Sequence, residues 1–248
     1  MDQIIKAELN KTAFFHDAYT WAALILSHPQ DDFSVDEALK YLEELDSNPA
    51  IKIDFSEEIE PIRSFYTTNR FDLLELKKEH SYLFIGPFSL PSPPYESYYR
   101  NGGVVQGESS IRVERFYQKM GMEIASDFND TPDHIILEAE FMAALCELEI
   151  SALRSGHFEQ ARYLRCAQKE LLNSHLLQWI KTFRVAVEKS AGEALYPAAV
   201  KFLEKVAREH QKYWPPMRRY YLPGVNPDYI TVTAQSCLSG IALRKTGP

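Results

Sequence analysis

Residues 132–155 constrain the fold more than any other stretch of the chain. Wound as a helix at ~100° per residue, they carry two apolar surfaces instead of one stripe. Ile135, Ala139, Met142, Cys146, Ile150 and Leu153 form the first, and Leu137, Phe141, Ala144, Leu145, Leu148 and Ala152 form the second. A helix that is apolar on two sides has to be packed on two sides, so this segment predicts the central helix of a bundle. Polar residues occupy the seams. His134 and Glu138 share one, with Glu149 further along, while Asp133 lies on the other with Glu140 and Glu147. Asp133 sits near the helix start, where the macrodipole favours a carboxylate. His134 and Glu138 read either as an i,i+4 pair tying down the helix end or as a polar spot at the edge of an apolar groove. Thr131 stands where an N-cap belongs, with Pro132 at the first helical position. Cys146, in the middle of an apolar face, reads as a core residue.

Helical periodicity dominates the remaining chain. It predicts helices at 3–27, 34–46, 57–67, 70–85, 109–120, 132–155, 158–172, 174–190 and 194–212. Ser109 is placed to cap one of them, and Gly121, Gly156 and Gly192 stand where helices should stop. The expected fold is all-α, a single-domain bundle of about nine helices over residues 1–212. A Pro-rich, basic tail at 213–248 then packs on the bundle or extends from it. Trp214-Pro-Pro216, Pro223-Gly224 and Pro227 forbid a long helix there, although Tyr229 to Thr233 fits a short strand. No fixed-period repeat is visible, which disfavours a repeat-type helical adaptor.

Charge and motif content narrow the function. The net charge of -8 speaks against general nucleic-acid binding, which draws on Lys and Arg. Residues 31–60 hold eleven acids against Lys40 and Lys52, a net of -9. That cluster reads as a solvated face or, more sharply, as a surface for a basic partner. Cys146, Cys166 and Cys237 are odd in number and widely spaced, so neither a disulfide framework nor a CxxC metal site is expected, and a reducing compartment fits. The apolar run from Ala13 to Leu26 contains His16 and Asp17 and reads as a core helix, not a signal sequence. No uninterrupted apolar stretch reaches the ~18 residues of a membrane span. None of the seven histidines follows a Glu at three residues' distance, as a di-iron bundle would need. Hydrolase, zincin, P-loop and dinucleotide fingerprints are missing as well. The chain is therefore expected not to be an enzyme and to need no metal or cofactor.

One sustained break interrupts the helices, at residues 86–107. A loop of this length inside a compact domain is usually functional or disordered, and this one is stiffened by prolines and rich in Tyr, which favours function. Large apolar residues lead into it through Glu79-His-Ser-Tyr82-Leu83-Phe84-Ile85-Gly86-Pro87, and Leu90-Pro91-Ser-Pro93-Pro94-Tyr95-Glu96-Ser97-Tyr98-Tyr99 follows. A preorganised aromatic surface of this kind suits an extended peptide or an amphipathic helix; the alternative is a loop simply folded onto its own core.

Three blocks in order, Tyr82-Leu-Phe-Ile-Gly-Pro87 with Pro93-Pro-Tyr-Glu-Ser97, Gly107-Glu-Ser-Ser-Ile-Arg-Val-Glu-Arg-Phe-Tyr117, and Pro132-Asp-His-Ile-Ile-Leu-Glu-Ala-Glu-Phe-Met142, resemble the TorD/DmsD family of redox-enzyme maturation chaperones, relatives of the NarJ type. The resemblance covers about residues 70–155. It implies an all-α cytoplasmic chaperone, monomer or homodimer, that binds the twin-arginine signal peptide or the catalytic subunit of a molybdenum-cofactor oxidoreductase until the cofactor is inserted. Carried over residue by residue, it implies peptide-binding roles for Leu83, Phe84, Pro94, Tyr95, Ser97, Asp133 and His134, supported by Tyr82, Glu96 and Glu138. The alternative is a generic helical protein-binding adaptor without a redox client. The tail lies beyond the family pattern. Its Arg218-Arg219 pair is a candidate placeholder for the chain's own binding site.

Overall fold

A computed structural model describes residues 3–31, 34–51, 53–68, 72–86, 89–125 and 128–213, and the backbone of 244–245. The helices are α1 (Gln3–Leu26), α2 (Val35–Asp46), α3 (Ser56–Thr67), α4 (Leu73–His80), α5 (Glu96–Arg100), α6 (Glu108–Lys119), α7 (Ile135–Arg154), α8 (Phe158–Leu171), α9 (Leu177–Ser190) and α10 (Leu195–Lys212). Two residues of β1 (Met122–Glu123) pair antiparallel with β2 (Arg244–Lys245). The fold is an all-α bundle, and nine of these helices correspond to the nine expected. The tenth, α5, is a single turn inside the long loop. Tyr229 to Thr233, Arg218-Arg219 and Cys237 lie outside the described residues.

Helix α7 is central, as its two apolar surfaces require. It packs chiefly on α1 and α8, and fourteen of its residues are buried, Glu138 and Glu149 among them. Buried carboxylates need partners. Glu149 accepts from Thr12 on α1, from Arg165 and from Gln168 on α8, so one carboxylate joins three helices. α1 also packs on α10, where Trp21 meets Phe202 at 5.1 Å and Phe15 stacks on His210 at 3.8 Å. Cys146 lies fully inside this core.

Several boundaries fall elsewhere than the periodicity places them. α7 starts at Ile135, one turn later than expected, and its N-cap is His134, whose Nδ1 accepts from the Ile136 amide. Thr131 and Pro132 belong to the preceding turn, because residues 133–135 are engaged with the loop. α6 is capped by Gly107, not Ser109, which is buried. Gly121 and Gly156 do stop helices in left-handed conformation, φ 71° and 73°. Gly192 does not. α9 ends on Ala191 in extended conformation, and the amides of Gly192 and Glu193 both donate to Glu79 at 2.9 Å. The break expected between 172 and 174 is filled by a π-helical segment, Leu172–Leu176, which connects α8 to α9 without interruption. A second π segment, Ser81–Ile85, extends α4 into the loop.

Part of the acidic 31–60 region is neutralised within the fold. Glu58, although 3% exposed, receives Lys201 and Lys205 from α10, and Arg63 bridges Asp46 and Glu60. Among the described residues, no helix is long and apolar enough to cross a membrane.

Candidate functional site

The 89–107 loop is fastened to the start of α7 by backbone pairing. Tyr95 and His134 form an isolated antiparallel bridge; the Glu96 amide donates to the Asp133 carbonyl at 3.0 Å and the Ile135 amide to the Pro94 carbonyl at 2.9 Å. Pro93 and Pro94 have no N–H to lose here, and their rings are buried. The Asp133 carboxylate completes the fastening: its Oδ2 accepts from the Ser97 amide at 2.6 Å. A carboxylate thereby caps α5 from a different part of the chain, satisfying one of the donors that a helix start leaves unpaired. Ser97 itself is fully buried, and its hydroxyl accepts from the Gln106 amide at 3.1 Å, closing the far side of the loop. At the near side the Ser92 amide donates to the Leu83 carbonyl at 3.3 Å.

Beneath this latch lies a buried polar cluster. Glu96, fully buried, accepts from Arg100 on its own helix and faces His175 Nδ1 at 2.9 Å. Arg100 also donates to the Ser174 carbonyl at 2.8 Å, so α5 is tied twice to the π segment between α8 and α9. Departures from α-helical pairing recur at functional positions, and here one holds the loop's polar partner. Glu138 accepts from the Trp179 indole at 3.2 and 3.3 Å. Burial, and after it the charge on Glu96, push the Glu138 carboxyl well above the usual range, which favours its protonated form. Tyr99 stacks over Trp179 at 5.7 Å, joining the loop's aromatics to α9.

The residues singled out by the motifs therefore converge, but they do so mostly inside the protein. Leu83, Phe84, Pro94, Ser97, Asp133, Glu96 and Glu138 are buried, and Leu83, Ser97, Asp133, Glu96 and Glu138 are fully so. Phe84 packs edge-on against Tyr196 at 5.4 Å. Tyr95 and His134 lie at the partly open edge, ring against ring at 5.4 Å, and the Tyr95 hydroxyl donates to Asp130 at 3.1 Å. Burial lowers the His134 imidazole to about 4. Tyr82, 57% exposed, and its neighbour Ile85, 55% exposed, face solvent, and across the loop Val104, Val105 and Ile111 are exposed too. Sequence reasoning missed Arg100, His175, Trp179 and Tyr117, whose hydroxyl donates to the Pro132 carbonyl at 3.2 Å. The exception to a silent sequence is Arg100, four residues from Glu96 and so readable as a helical pair.

Residues 48–184 match the profile of the family described as nitrate reductase delta subunit. The chain is 27% identical over 128 residues to the chaperone protein TorD of Vibrio cholerae, covering 52% of this chain and 57% of that one. It is 36% identical over 74 residues to the selenate reductase assembly chaperone protein of Thauera selenatis, 30% of this chain and 37% of that protein. It is 33% identical over 108 residues to the chlorate reductase assembly chaperone protein of Ideonella dechloratans, 43% of this chain and 54% of that protein. The chain spans about half the length of these curated relatives, or less. Since the profile takes in more than half of the chain and both the latch and its buried cluster, the chain belongs to the nitrate reductase delta subunit family, that of the TorD-type redox-enzyme maturation proteins.

Proposed function

We propose that the protein is a cytoplasmic chaperone for a molybdenum-cofactor oxidoreductase, and that it binds the enzyme's twin-arginine signal peptide or its apo catalytic subunit until the cofactor is in place. The observation that carries this reading is the placement of exposed apolar side chains. Among the described residues, five of the eight large exposed hydrophobics, Tyr82, Ile85, Val104, Val105 and Ile111, lie in or next to the latched loop in the sequence. Loop backbone fastened at both sides loses little further freedom on binding, so apolar contact there converts efficiently into affinity. Roles divide accordingly. Leu83, Phe84, Pro94, Ser97 and Asp133 hold the surface in shape, with Glu96 and Glu138 beneath them. Tyr95 and His134, at the open edge, touch the peptide together with Tyr82. The relatives named as assembly chaperones for selenate and chlorate reductases support a reductase client.

Calorimetry with a synthetic peptide carrying an Arg-Arg pair and an apolar stretch tests the reading. Tyr82→Ser combined with Ile85→Ser should weaken binding about tenfold, the scale of two lost apolar anchors, with the melting temperature unchanged. Equal affinity for both proteins removes this rim from the site. Mass spectrometry of what co-purifies with the protein from its own cell should identify a molybdoenzyme catalytic subunit, and capture of unrelated proteins alone favours a generic adaptor.

A further inference from the structure

Beside the latch, α6 and β1 border an open hollow of about 260 Å³, lined among the described residues by Glu114, Tyr117, Gln118, Met122, Glu123 and Ile124. Tyr117 connects it to the latch, because the hydroxyl of this wall residue donates to the carbonyl of Pro132, next to Asp133. Two of these lining residues, Met122 and Glu123, make up β1, and β1 has a strand partner. β2 lies antiparallel on β1, with Met122 opposite Lys245 and Glu123 opposite Arg244. The occupant comes from the chain's own C-terminal region, 32 positions after the end of α10 (212 to 244).

We propose that the β1 edge is a docking site for an extended basic segment, and that the chain's own Arg244–Lys245 strand, paired on it, is a displaceable placeholder. Three observations support this. An exposed strand edge presents unpaired N–H and C=O groups and is a ready acceptor for an added strand. Among the described residues, the lining carries two carboxylates, Glu114 and Glu123, and no Lys or Arg. The occupant carries two adjacent cations, whereas the chain as a whole is acidic, so the pairing joins opposite charges. A two-residue ladder is short enough to exchange, since isolated two-stranded pairs are marginal in water. The segment competing for the edge is an extended peptide of the client that carries paired arginines. That competition rests on the function proposed above; the docking of the tail does not.

Two sets of variants of the whole 248-residue chain separate these parts. In a Cys166→Ser, Cys237→Ser background, Glu123→Cys with Arg244→Cys should form an intramolecular disulfide on mild oxidation, because directly opposed strand residues meet the required Cα spacing. Glu37→Cys with Arg244→Cys should not. Equal cross-linking of both pairs overturns the docking. In the natural-cysteine protein, Arg244→Glu with Lys245→Glu should raise affinity for the Arg-Arg peptide about two- to fivefold, the scale of the one opposed charge pair, Glu123 with Arg244. The disulfide-locked form should bind it less tightly than its reduced form. Unchanged affinity in both comparisons overturns the competition. If the cross-link forms but no form binds the peptide, the tail docks as proposed and the peptide reading of the function fails.

Discussion

Asp133 shows how a residue can be legible as important and illegible in its role. The motif marks it, and its place before an apolar helix invites the reading of a helix-start charge. In the fold it is not in α7 at all. It caps the one-turn α5 through the Ser97 amide, with no exposure to solvent. Losing a charge-assisted bond to a buried amide costs about 1.5–3 kcal/mol. Asp133→Ala should therefore lower global stability by that amount and speed amide exchange at Glu96, Ser97 and Ile135, while Asp133→Asn should lose roughly half as much. Protection unchanged in the alanine variant would show that the bond does not hold the loop. Trp179 makes the complementary case. No motif contains it, yet it covers Glu138. Trp179→Phe keeps the ring against Tyr99 and Phe183 and removes the indole donor, so it should cost about 1–3 kcal/mol, the penalty of a buried polar group losing its partner.

At the scale of elements, periodicity reads long helices well and their ends poorly. α1 and α10 fall within two residues of expectation because each presents a continuous apolar pattern to the core. The start of α7 is displaced because the residues before it are claimed by the loop, through bonds between residues far apart in the chain such as Ser97 to Asp133, 36 positions away. The π segment at 172–176 is invisible in the sequence for a similar reason: it contains neither Gly nor Pro, and its partners Glu96 and Arg100 lie on α5. Gly107 tests the loop's closure. A Cβ there would come within 1.9 Å of the Asn101 amide nitrogen, which must swing away and give up its contact with Ser109. Gly107→Ala should cost about 1 kcal/mol of stability, the scale of one lost hydrogen bond, and reduce peptide affinity more than a melting curve reveals. An unaltered affinity would show that this end of the loop is not part of the surface.

For the molecule as a whole, buried ionisable groups pull stability in opposite directions with pH. Burial lowers both His80 and His134 from an ordinary 6.5 to about 4. Between those values the unfolded chain binds more protons, so stability is full above pH 6.5 and is lost as the pH falls toward 4. Glu138 acts the other way. Its raised carboxyl keeps more protons bound in the folded state, so its contribution is fully present below its unfolded value of 4.5 and declines as the pH rises. Glu138→Gln keeps an acceptor for Trp179 and removes the titration. Its melting temperature should gain on the natural protein steadily from pH 5 to pH 8; a constant difference would mean that the fold does not hold the Glu138 proton above the unfolded value. The bundle class, the centrality of α7 and the existence of a long break between helices follow from local pattern, because apolar period and proline content act over neighbouring residues. Which motif residues face the solvent does not follow. Asp133 and Ser97 are buried, and Tyr82 and Ile85 exposed, only through contacts that close over tens of residues, where polar side chains take whichever partner the packed helices bring to them.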